Sequence, residues 1–143
     1  MTRIEFFFNV ENKLQKIADL CERITGKGRR LMVFTQDKDM TQRLEHVLWT
    51  HPATGFMPHC REENELAAIT PIVIGSRGEQ LAHDEVLINL HSQHPPFFSR
   101  FTQLIEIVGT DESDKAEARL RYSFYRDRGY EIKNFDALKA ASE

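Results

Sequence analysis

"RIEFFFNVENKLQKIADLCERITGKGRRLMVFT", residues 3–35, decides the fold. Its opening "RIEFFFNV" is rich in residues that suit a pleated strand. In "ENKLQKIADLCERITGKG" the residues Leu14, Ile17, Ala18, Cys21 and Ile24 recur at helical spacing, and Gly26 is placed to stop the helix. "RRLMVFT" then reads as a buried strand. A second helix follows, with Asp37 or Asp39 as its cap and Met40, Leu44, Val47 and Leu48 as its apolar stripe, and Pro52 lies beyond its end. Strand, helix, strand and helix in that order imply right-handed crossovers and a largely parallel sheet covered on both faces.

Further along, "GFMPHC" is a short extended piece weakened by Pro58. "PIVIG", "EVLINL" and "QLIEIVG" are strands, and "PPFFSRF" offers a turn of helix. Another helix starts among the caps and acids of "TDESD" and ends at Gly129. The tail "NFDALKAASE" is expected to form a short final helix. The expected architecture is a Rossmann-like three-layer α/β/α sandwich with a largely parallel central sheet, one domain over residues 1–143.

Composition sets limits on function. With 41% hydrophobic and 29% charged residues the chain is ordinary for a globular protein. No apolar run approaches the ~20 residues of a membrane span. "MTRIEFFFNV" lacks the long apolar run and the cleavage site of a signal peptide, so a cytoplasmic location is expected. Cys21 and Cys60 are too few and too isolated for a disulfide framework or a zinc site, and are expected as reduced thiols.

A nucleotide-type fold invites a search for phosphate loops. No G-x-G-x-x-G follows the first strand, and no G-x-x-x-x-G-K-[ST] occurs. "GKG" at 26–28 follows a helix and reads as a turn, while "GSRGEQ" after "PIVI" reads as a connecting loop. His91 and His94 sit near a strand end, but a catalytic metal needs a third ligand and none has recognisable spacing. There is no G-x-S-x-G elbow and no cysteine beside a base. No cofactor, metal or catalytic residue is expected, and no catalysis by the chain itself.

Two features remain. Residues 115–128 hold Lys115, Arg119, Arg121, Arg126 and Arg128 against Glu117 and Asp127, a net of +3 in a chain of net −3, which leaves −6 to the rest. A basic patch on an acidic body suits a small acidic target better than a long polyanion. At about 100° per residue, Lys115, Arg119, Tyr122 and Arg126 fall on one helical stripe. Ala116, Leu120 and Phe124 lie to one side of it and are expected to face the sheet. Arg121 can pair with Glu117 at i,i+4, and Asp111 can offset only the Lys115 end. The stripe is either a solvated face or a site for carboxylates with an apolar group, since Arg grips a carboxylate bidentately, Lys adds a point charge and Tyr a ring. The second feature is "LWTHPATGFMPH", residues 48–59, where Trp49 and Phe56 are either core residues or partner anchors.

"LWTHPATGFMPH", then "EVLINL", then "ARLRYSFYRDRGYEI" resemble, in that order, the chi subunit of bacterial DNA polymerase III, from its clamp-loader assembly. The likeness starts at "FFFNV" and spans nearly the whole chain. It implies the fold above without nucleotide chemistry, and an adaptor that touches DNA only indirectly. Members of the family bind the acidic, phenylalanine-ended tail of single-stranded DNA-binding protein. They also bind the psi subunit, which ties them to the clamp loader, as a monomer or a heterodimer with psi. Matched residue by residue, the tail-binding positions are Val108, Lys115, Arg119 and Tyr122. Arg126 is added from helix geometry alone. The psi-binding positions are Trp49 and Phe56, a surface that a helicase-like repair protein can also occupy. Ser123 stands where the family can carry a basic side chain, which weakens the patch. The competing classes are a direct single-stranded DNA binder, for which Tyr122, Tyr125 and the five cations are a faint signal, and a small Rossmann-like enzyme.

Overall fold

The structure is a computed structural model that describes residues 2–50, 58–78 and 81–137. Its strands are β1 (Arg3–Val10), β2 (Leu31–Phe34), β3 (His59–Arg61), β4 (Ile72–Gly75), β5 (Val86–Asn89), β6 (Gln103–Gly109) and β7 (Ile132–Asp136). They form one sheet in the order β3-β4-β2-β5-β6-β1-β7, and every neighbouring pair is parallel. The helices are α1 (Lys13–Gly26), α2 (Lys38–Thr50) and α3 (Glu112–Asp127). Short 3-10 turns occur at Ala67–Ile69 and Phe98–Arg100, the second within the expected "PPFFSRF" turn.

Local chemistry explains the helix boundaries. The Asn12 side chain accepts from the Gln15 amide at 3.1 Å and starts α1. Gly26 remains inside that helix. The left-handed residue is Gly28, at φ 76°, and the amides of Lys27, Gly28 and Arg29 bond back to Ile24 and Thr25. Of the two expected caps on α2 it is Asp37 whose carboxylate accepts, from the Met40 amide at 2.9 Å. Gly129, at φ 83°, follows the end of α3 as expected.

Helices α1 and α2 cover one face of the sheet. There Ile17, Cys21, Leu44 and Leu48 pack on Ile74, Ile88 and Ile107. Helix α3 and the Phe97–Phe101 segment cover the other face, where Phe98, Phe101 and Tyr125 meet Phe6, Met32 and Leu104. The three-layer sandwich is therefore present, with a wholly parallel sheet. Among the described residues no helix is long and apolar enough to cross a membrane.

One expected element is different. Residues 134–136 of the supposed final helix belong to β7, and 138–143 lie outside the described residues. Tertiary contacts override the helical propensity of the tail: β7 pairs with β1 from Ile4↔Ile132 to Phe8↔Asp136, and Phe135 stacks on Phe7 with centroids 4.9 Å apart.

Strand β1 is irregular where it matters. Phe7 pairs with Ile107 and Val10 with Gly109, so Phe8 and Asn9 together oppose Val108 alone. This is a β-bulge, and Asn9 takes φ 61° within it, a left-handed conformation that Asn tolerates better than most residues. The extra residue inverts the side-chain alternation. Ile4, Phe6 and Phe8 face α3, but Val10, of the same parity, packs in the opposite core with α1.

Candidate peptide-binding cleft

Helix α3 is oriented by a buried charge on the sheet. Glu106 of β6 is fully buried, and so are Arg121, Tyr125 and Asn89 around it. Arg121 donates from Nε to Glu106 Oε1 at 3.0 Å, Tyr125 donates its hydroxyl to Oε2 at 2.6 Å, and Asn89 Nδ2 donates to both oxygens at 3.2 and 3.0 Å. Arg121 Nη1 also donates to the Ser92 carbonyl at 2.8 Å, tying the loop after β5 to the helix. Burial raises the Glu106 carboxyl above its ordinary range, while the Arg121 guanidinium and the three donors pull it back. Burial beside that carboxylate also raises the Tyr125 phenol.

The sheet-facing residues of α3 are accordingly Ala118, Arg121 and Tyr125. This corrects the expected facing set in part: Leu120 is 75% exposed and Ala116 is exposed, whereas Phe124 is half-buried and does pack against the core on the α3 side of the sheet. Arg121 pairs with Glu106 rather than Glu117. Apolar periodicity misplaced Ala116 and Leu120 because two of the inward side chains are a cation and a phenol drawn to a carboxylate.

With the helix turned this way, its basic stripe flanks a cleft over β1. The cleft has a volume of about 320 Å³, and Val108, Lys115, Arg119 and Tyr122 all line it. That lies at the small end of ligand sites, which run from about 300 to 1,000 Å³. Phe6, Phe8 and Val108 make an apolar floor, with the Tyr122 ring 5.2 Å from that of Phe6. Lys115 and Arg119 stand on the α3 side. Asn9 and Asn134 line the cleft from the bulge and from β7, which lies across β1 from the strand α3 packs on.

The cations are lightly committed. Lys115 is 3.9 Å from Glu112, a mostly exposed carboxylate three residues before it, rather than paired with Asp111. Arg119 is exposed and has no ion pair among the described residues. Arg126 does not line the cleft. It stands farther along the helix, exposed, with its Nε 3.5 Å from Asp127.

Sequence reasoning missed Phe6, Phe8, Asn9, Ala118 and Asn134. A bulge leaves no periodic signature, and its only trace is an Asn near a strand end, the residue type suited to left-handed backbone.

Trp49, near the end of α2, is 64% exposed and is not a core residue. Phe56 lies outside the described residues. His91 stacks on Phe34 and His94 on Phe124, at centroid distances of 5.0 and 3.6 Å. Among the described residues no group of His, Cys, Asp and Glu could hold a metal ion. In the "GSRGEQ" loop the amides of Arg77 and Gly78 are each 3.3 Å from the Glu62 carboxylate, so an acid fills the place a phosphate would need. Cys21 and Cys60 are free, and burial pushes the Cys21 thiol up to about 12.

Comparison with known proteins bears on this geometry. Residues 1–133 match the family model described as "DNA polymerase III chi subunit, HolC". The chain belongs to the DNA polymerase III chi subunit family. Relatives named DNA polymerase III subunit chi include one from Pseudomonas aeruginosa, 27% identical over 94% of this chain and 96% of the relative. Another, from Haemophilus influenzae, is 29% identical over 90% of this chain and 92% of the relative. The Escherichia coli protein is 26% identical over 82% and 81%. Among solved structures, the C-terminal domain of the DEAD-box protein Dbp5 covers 94% of this chain and 90% of that domain with TM-score 0.66. At 10% identity that likeness concerns the fold alone. Chi family membership makes this chain a subunit type of a replicative polymerase assembly, with protein partners there.

Proposed function

We propose that this chi-family protein is a non-catalytic adaptor of the replication machinery that captures the acidic, phenylalanine-ended tail of single-stranded DNA-binding protein and joins it to the clamp loader through psi. The observation that carries the reading is the convergence of Val108 from β6 with Lys115, Arg119 and Tyr122 from α3 on one cleft with an apolar floor and a cationic side. Such a cleft suits a chain end, where a hydrophobic ring and a carboxylate leave the same carbon. Arg119 supplies the fork that a carboxylate fits, and Lys115 a diffuse attraction for upstream acids. Arg126, outside the cleft, would meet those upstream acids rather than the terminus. The exposed Trp49 supports a second docking point at the end of α2, where psi or a competing helicase-like protein would bind.

Calorimetry with an acidic peptide ending in phenylalanine tests the tail reading. The peptide should bind at one site, and removing its last residue should abolish most of the affinity. Equal binding of the two peptides would overturn the assignment, and tight binding of an oligonucleotide in place of both would favour the direct DNA binder.

A further inference from the structure

The bulge in β1 gives the cleft a third polar element. Asp136 accepts a hydrogen bond from Asn9 Nδ2 at 3.1 Å. A carboxylate can only accept, so this contact fixes the Asn9 amide with its nitrogen toward Asp136. The Asn9 carbonyl oxygen is left without a partner among the described residues, on a side chain that lines the cleft. In a regular strand Asn9 would share the α1 face with Phe7. The bulge and φ 61° bring it to the α3 side instead.

We propose that Asn9 is a specificity-determining residue of the cleft, an acceptor for the backbone N–H of the ligand's terminal residue. This rests on the tail-binding reading above. From the α-carbon of a terminal residue three groups diverge: the ring, the carboxylate and the N–H. The cleft offers a matching group in each direction. Phe6, Phe8 and Val108 lie below, Lys115 and Arg119 on the helix side, and at the bulge stands Asn9, whose nitrogen is held by Asp136 of β7 and whose carbonyl oxygen is turned away from that carboxylate. An acceptor that a bound ligand covers without offering a donor is left unsatisfied, so the third contact discriminates a peptide end from any other aromatic carboxylate.

The test pairs a protein change with a ligand change. Asn9→Gly removes the amide and keeps a residue at ease with positive φ. The ligands are an acidic phenylalanine-ended peptide and its analogue with an ester oxygen in place of the last N–H. Wild type should bind the ester roughly three- to tenfold more weakly, the range of one hydrogen bond. Asn9→Gly should bind the amide peptide about as weakly as wild type binds the ester, with no further loss on ester substitution. A wild type indifferent to the ester, or an ester penalty undiminished in Asn9→Gly, overturns the proposal. Arg119→Ala, measured alongside, separates the two readings. If it weakens the amide peptide while the ester has no effect, the cleft stands and the Asn9 role falls. If it binds like wild type, the tail reading falls and this inference with it.

Discussion

Arg121 and Glu106 face each other across the interface between α3 and the sheet, Nε to Oε1 at 3.0 Å, with side-chain exposures of 4% and 0%. The carboxylate has every oxygen engaged by Arg121, Tyr125 or Asn89. The network sets the rotation of α3, and so decides which of its residues meet the cleft. Removing one ion strands the other in an apolar interior. Arg121→Ala is expected to destabilise by about 3–5 kcal/mol, since a buried pair broken on one side costs that much. The melting temperature should fall on the order of 10 °C. The double variant Glu106→Leu with Arg121→Met should lose much less, because no charge remains buried. Thermal melts of both proteins check this, and an Arg121→Ala protein as stable as wild type would refute it.

The same pair shows where the sequence stops being informative. Lys115, Arg119 and Tyr122 were legible as neighbours because helical spacing alone aligns them, whereas Val108, on another element, came only from the family resemblance. The face that α3 buries was not legible. A buried cation looks like a solvated one until its partner on another element is known, and Glu106 lies fifteen residues away in "QLIEIVG". Leu120 was therefore expected inside and is exposed. The end of the chain fails for a related reason. Residues 134–136 have a local preference, but pairing with β1 and the stack of Phe135 on Phe7 decide their conformation. The parallel order of the first elements needed no such long-range information. Spacing and buried runs sufficed there.

Acid should destabilise the protein through the loop after β5. Burial lowers the proton affinity of both His91 and His94. Arg121 adds to the effect at His91, against Glu117, and Arg128 adds to it at His94. Groups with depressed folded values take up protons more readily when unfolded. Their contribution to stability is therefore present above the unfolded value of about 6.5 and is lost as pH falls through the depressed folded values. The melting temperature should drop between pH 7.5 and pH 5. His94→Phe keeps a ring on Phe124 without a titrating nitrogen and should reduce that drop. An unchanged pH profile in the variant would contradict the argument.

Trp49→Ala should separate folding from partner docking. At 64% exposure the indole buries little, so the change in stability should stay within about 0.5 kcal/mol. If the end of α2 is the psi surface, association with psi should weaken by more than about 1 kcal/mol. Denaturant melts and pull-down with purified psi provide the two measurements. A large loss of stability with unchanged partner affinity would return Trp49 to a structural role.

The two cleft cations should respond differently to substitution and to salt. Arg119 is exposed and without an ion pair among the described residues, so it meets a ligand carboxylate at no cost to an existing contact. Its fork can make two parallel hydrogen bonds, and Arg119→Ala should weaken an acidic phenylalanine-ended peptide by about 1.5–3 kcal/mol. Lys115 acts as a point charge that Glu112, at 3.9 Å, already offsets in part. Lys115→Ala should cost less, on the order of 0.5–1 kcal/mol, the scale of exposed ion pairs. Screening at 0.1 M salt acts over about 10 Å, so added salt should weaken the wild type. It should weaken Lys115→Ala less steeply, because the long-range part of the attraction has been removed. The Arg119 effect should persist at high salt, since short hydrogen bonds on an apolar floor are less screened. Titrations of the three proteins at two salt concentrations decide it, and equal losses for the two substitutions would mean that Arg119 contributes charge and no directed contact.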